Sequence, residues 1–85
     1  MKLTLRFFAS VREAVGAGHE VLDVAPGVAT VADLRALLVA RGGAWTEALA
    51  EGRLLRTACN QVMCGPDTRL ADGCEVAFFP PVTGG

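Results

Sequence analysis

Only one segment of this chain has the spacing of a long amphipathic helix, and strand-like segments stand on both sides of it. Thr30 opens it as a capping residue, and Asp33 falls in the electropositive first turn. Val31, Leu34, Leu37 and Leu38 follow at helical spacing as one apolar stripe. Gly42-Gly43 should end the helix at or just after Arg41. One such helix can cover one face of a sheet and no more. The other face must stay at least partly open. This points to an α+β chain rather than a helical bundle or a doubly covered parallel sheet.

The flanking segments supply the sheet. Residues 2–9 alternate, with Leu3, Leu5 and Phe7 on one side and Lys2, Thr4, Arg6 and Phe8 on the other. Residues 10–15 fit a short helical turn stopped by Gly16 and Gly18. Residues 19–25 read as a second strand closed by Pro26-Gly27, which predicts an antiparallel hairpin with the first. Residues 45–50 can add a short second helical piece in which Trp45 is a core or lid residue. Residues 54–59 and 62–65 read as strands joined by an Asn60-Gln61 turn. Leu70-Ala71-Asp72-Gly73 is a further turn. Residues 74–79 form the last strand, ended by Pro80-Pro81 because proline has no N–H for the ladder. Strand, strand, long helix, strand, short strand, strand is the order of a ubiquitin-like β-grasp. It implies a mixed sheet of about five strands, with the first and last side by side and parallel at its centre. The expectation is one domain over residues 1–85, with residues 80–85 as a projecting tail.

Composition removes several classes of function. The net charge is −1 with acids and bases interspersed, so no basic stripe for nucleic acid is visible. No apolar run approaches the roughly 18 residues of a membrane span. Met1 to Leu5 alternates as a strand does, unlike the apolar block of a signal peptide. The expected setting is therefore cytoplasmic. Cys59, Cys64 and Cys74 are odd in number and lack CxxC spacing, and His19 is the one histidine. A metal site is not expected. The cysteines read as small, mostly buried strand residues and His19 as a solvated strand-edge residue. The acids Glu13, Glu20, Asp23, Asp33, Glu47, Glu51, Asp67, Asp72 and Glu75 are scattered and form no acid–base pair. No glycine-rich phosphate loop joins a strand to a helix. Catalytic residues and a bound cofactor are both absent from this reading.

The tail carries the remaining chemistry. Pro80-Pro81 favours an extended start, followed by Val82, Thr83, Gly84 and Gly85. At roughly 3.3 Å per residue such a segment reaches about 20 Å. Glycines can thread a channel too narrow for any side chain. The carboxylate of Gly85 would then be the reactive group. A carboxylate is a poor acyl donor and needs activation, usually as an acyl-adenylate, so a partner enzyme is required. Strand parity also sets Phe8 and Phe79 together on the face the helix leaves open, with Met63 as a further member. Such an apolar patch beside the root of the tail suits a protein interface.

Residues 7–13, Phe-Phe-Ala-Ser-Val-Arg-Glu, and residues 70–85, ending Val-Ala-Phe-Phe-Pro-Pro-Val-Thr-Gly-Gly, resemble the small subunits of molybdopterin synthase, the sulfur carriers of molybdenum-cofactor synthesis. The resemblance extends over nearly the whole chain, with Asn60-Gln61 also in place. It implies that an E1-like enzyme adenylates Gly85 with ATP, and that a sulfurtransferase persulfide converts it to a thiocarboxylate. The tail, Pro81 to Gly85, then enters the large synthase subunit, where the sulfur attacks cyclic pyranopterin monophosphate. The resemblance further implies a heterotetramer of two small and two large subunits. It places Phe8, Met63 and Phe79 at apolar interface positions. Cys74 departs from the pattern, which often has an acid after the Asp-Gly turn. Three other readings stay open: a sulfur carrier of the thiamine pathway, a ubiquitin-like modifier conjugated to lysines, and a plain interaction domain whose tail is inert.

Overall fold

The computed structural model describes residues 1–50 and 52–81. Alternation in the first segment becomes β1 (Lys2–Phe7), with Leu3, Leu5 and Phe7 buried and Lys2 and Arg6 exposed. It pairs antiparallel with β2 (His19–Asp23), Arg6 opposite His19 and Lys2 opposite Asp23. β3 (Arg56–Cys59) and β4 (Val62–Cys64) form a second hairpin. β5 (Glu75–Phe79) lies between the two hairpins, parallel to β1 and antiparallel to β3, so the five strands run β2-β1-β5-β3-β4. This is the β-grasp arrangement expected from the element order. The central place of β5 explains its apolar sequence: Val76, Ala77 and Phe78 are all buried.

The long helix, α2 (Val31–Val39), packs on the face carrying the odd-numbered residues of β1. Its start follows from local chemistry. Thr30 Oγ1 accepts from the Asp33 N–H at 3.2 Å, and Asp33 Oδ2 accepts from the N–H groups of Ala29 and Thr30 at 3.0 and 3.1 Å. Those backbone donors hold the Asp33 carboxyl below the usual carboxylate range, the Ala29 bond contributing most. Leu34 and Leu38 are buried in one cluster with Leu3, Leu5, Phe7, Val76 and Phe78, and Val31 is buried at the start of the helix. Leu37 is 39% exposed and stands outside the stripe, because it sits about 100° round the helix from Leu38. The helix ends two residues before Arg41. Gly42 and Gly43 then turn the chain with φ of 82° and 56°.

Two short helices close the ends of the core. α1 (Ala9–Val15) contributes Val11, and α3 (Ala44–Leu49) contributes Leu49. Trp45, at the start of α3, meets the edge of Phe7 at 5.3 Å between ring centroids, as the lid-or-core reading anticipates. Arg41 lies 4.4 Å from the centre of the Trp45 ring and donates through both terminal guanidinium nitrogens to Glu20 on β2. Arg35 reaches from α2 to the carbonyls of Leu49 and Ala50, both at 2.6 Å, and so holds the C-terminal end of α3. The first strand is shorter than its alternation suggests. It stops at Phe7, Phe8 becomes the N-cap of α1, and Ala9 already belongs to the helix with φ of 52°.

Candidate functional site: the open sheet face and the root of the tail

The side chains opposite the helix layer are set by register. Arg6 of β1 stands opposite Ala77 of β5, Ala77 opposite Ala58 of β3, and Ala58 opposite Met63 of β4. Two pairs further along the β3–β5 ladder, on the same face, Phe79 stands opposite Arg56. The two alanines are each 8% exposed although among the described residues no helix covers this face, so the longer side chains round them form the surface and they form its floor.

The three predicted patch residues take their places by different means. Phe79 ends β5 on the same side as Ala77 and is half-buried. Phe8 lies outside the strand, yet its backbone is still extended at φ −128° and ψ 155°. It therefore projects away from the buried Phe7, and its N–H donates to the Phe78 carbonyl at 3.2 Å. The Phe8 and Phe79 rings meet edge to face, 6.4 Å apart at 85°. Phe8 is 43% exposed and Met63 56%. Met63 stands at the far side of the alanine floor, because β4 is the edge strand. The patch is thus an aromatic pair at one end, a methionine at the other, and two small residues between.

Pro80 and Pro81 leave the last strand half-buried at the same end of the sheet as Phe8. Pro80 also lines a groove of about 400 Å³ between α1 and α3, with Val11, Ala14 and Ala48. Val82, Thr83, Gly84 and Gly85, the rest of the predicted tail, lie outside the described residues. A larger groove, about 860 Å³, runs between α2 and the β3–β4 edge. Its walls are Val31, Ala36, Val39 and Leu55, with Met63 and Arg56 at the margin it shares with the sheet face.

Cys74 is buried, while Cys59 and Cys64 are half-buried. Burial, then the neighbouring Cys74 and Cys64, push the Cys59 thiol above its ordinary pKa, which makes it a weaker nucleophile. His19 is exposed on the edge strand β2. Among the described residues no group of His, Cys, Asp and Glu could hold a metal ion, and no helix is long and apolar enough to cross a membrane.

Sequence reasoning did not single out Arg56 or Ala58. Both reach this face through the β3–β5 register, which depends on where two distant segments meet and leaves no local spacing signal.

Comparison with known proteins gives a consistent result. The model of the ThiS family matches residues 5–85. The chain is similar to the molybdopterin synthase sulfur carrier subunit of Escherichia coli (strain K12), with 49% identity over 79 residues, spanning 93% of this chain and 94% of that protein. It is also similar to the subunit of that name from Haemophilus influenzae, with 39% identity over 83 residues, spanning 98% and 99% of the two chains. Among solved structures it resembles SAMP1 from Haloferax volcanii, with a TM-score of 0.76, 28% identity and full coverage (100%) of both chains.

Proposed function

We infer, given that this chain belongs to the ThiS family, that it is the sulfur carrier subunit of a molybdopterin synthase. The observation that carries the reading is the near end-to-end relation to carrier subunits of that name, at 49% and 39% identity. The body contributes a docking surface and the tail contributes the cargo. Gly85 is the residue loaded. Attack of its carboxylate on ATP gives an acyl-adenylate and releases pyrophosphate. The terminal sulfur of the sulfurtransferase persulfide then displaces AMP to give an acyl disulfide, and a thiol of the loading enzymes attacks the other sulfur, so that a disulfide forms on those enzymes as the thiocarboxylate of Gly85 is released. An E1-like enzyme and a sulfurtransferase supply the adenylation and the sulfur. ATP is bound by the activating enzyme, and this chain holds no cofactor.

The large synthase subunit docks on Phe8, Met63 and Phe79 and receives Pro81, Val82, Thr83, Gly84 and Gly85 in its active site. There the sulfur passes to cyclic pyranopterin monophosphate. The geometry supports this division of labour: the aromatic pair lies where β5 gives way to Pro80, so a partner gripping the patch holds the base of the tail. The setting is cytoplasmic, and the working assembly holds two small and two large subunits.

A second reading is favoured by the likeness to SAMP1, a small archaeal modifier protein: conjugation to lysines through the same acyl-adenylate. Intact mass after incubation with an activating enzyme, ATP and a sulfur source separates the cases. The carrier reading expects one sulfur-for-oxygen exchange, absent when Gly85 is deleted. An unchanged mass would remove it, and lysine adducts in cells would select the modifier. Co-purification with a thiazole synthase in place of the large subunit would select the thiamine-pathway carrier.

A further inference from the structure

Resting on that docking reading, we propose that Arg6 and Arg56 make the open sheet face a cation-flanked apolar socket, selective for a large-subunit surface that sets carboxylates round an apolar protrusion. The two arginines bracket the alanine floor. Arg6 stands beside Ala77, and Arg56 stands opposite Phe79. Both are exposed, and among the described residues neither has a salt bridge or a side-chain hydrogen bond. The acids on this face lie toward its other end. Asp23 is opposite Lys2 and within 3.5 Å of the N-terminal ammonium, and Glu75 is opposite Thr4.

A chain of net charge −1 therefore places unpaired positive charge at the end of the sheet where the tail begins. This is segregation, not a general excess of base. An interface that covers Phe79 and Met63 also takes water from both guanidinium groups. Covering an arginine with no counter-charge is unfavourable, whereas a bidentate carboxylate satisfies its fork of donors. A partner of the right shape but without acids is thus rejected, and one with acids is steered in.

The test uses the full-length protein and a molybdopterin synthase large subunit, with association followed at low and high salt. Arg6→Glu/Arg56→Glu should slow association about tenfold or more at low salt, with the difference closing at high salt. Arg6→Gln/Arg56→Gln carries the same test, with a smaller loss, should the acidic pair lose its sheet signal in circular dichroism. Phe79→Arg serves as the control. Normal association of the arginine variants with loss of binding in Phe79→Arg would overturn the charge selection and leave the docking face standing. Normal binding of Phe79→Arg would remove the docking reading itself.

Discussion

Among the described residues, Ala9, Asn60 and Gln61 hold positive φ without being glycine, at 52°, 50° and 68°. Asn60 and Gln61 have a local reason. They form the two-residue β3–β4 turn, whose favoured form needs positive φ at both places. Asn60 Oδ1 also accepts from the Glu75 N–H at 2.9 Å, while its own N–H donates to the Glu75 carbonyl at 2.8 Å, which ties the turn to β5. Ala9 has no such device. It stands where the chain turns from Phe8 into α1, and its Cβ is strained by about 1–2 kcal/mol. Ala9→Gly should therefore be neutral or stabilising by up to about 1 kcal/mol, whereas Ala9→Val should destabilise by more than that, in urea unfolding. An equal loss for both would mean that the corner is not strained. The Asn60-Gln61 turn was legible in the sequence because asparagine tolerates this backbone. The corner was not: Phe8 and Ala9 continue the alternation of β1, and nothing in that local pattern marks where α1, which buries Val11, begins.

Among the elements, the helix layer is joined to the edge of the sheet through Glu20, Arg41 and Trp45. Their side-chain placement could not be read from spacing, since Glu20 and Arg41 lie on segments whose approach is set by the fold. The hydrogen bond from Arg41 holds the Glu20 carboxyl below its usual range, and Glu20 in turn raises the pKa of Arg41. A carboxylate pKa lowered by folding stabilises above its unfolded value, about 4.3, and that contribution fades as pH falls through the lowered folded value. The side chains are 28% and 30% exposed, so the pair contributes about 1 kcal/mol or less. Glu20→Gln should lower stability by that order at neutral pH, and the gap from the parent chain should close on acidification. A gap that persists at the acid end would place the effect in packing instead of charge. The long helix itself was legible from Thr30 and Asp33 to its buried stripe, since capping and periodicity are local. Leu37 was misplaced because apolar character alone does not tell the centre of a stripe from its margin.

For the molecule as a whole, the sheet separates two demands on one short strand. β5 alternates between the core and the open face, so Phe78 and Phe79 are neighbours in sequence with opposite duties. Phe78 is fully buried and stacks on Phe7 at 6.2 Å, while Phe79 meets Phe8 outside the core. Sequence parity found this division, because β5 runs straight through the centre of the sheet and keeps its period. Truncating Phe78 to alanine should cost about 3–5 kcal/mol, a large share of the roughly 5–15 kcal/mol that holds a small domain together. Phe79→Arg removes no core contact with the helix layer, so its thermal midpoint should stay within a few degrees of the parent while binding to the large synthase subunit is lost. The two variants therefore predict opposite pairs of results in melting and binding experiments. Should Phe79→Arg melt as early as Phe78→Ala, Phe79 would be a structural residue, and lost binding could no longer be credited to the face. With stability kept and docking lost, Phe79 would be a recognition residue, and the open side of the sheet the face by which a partner holds this chain.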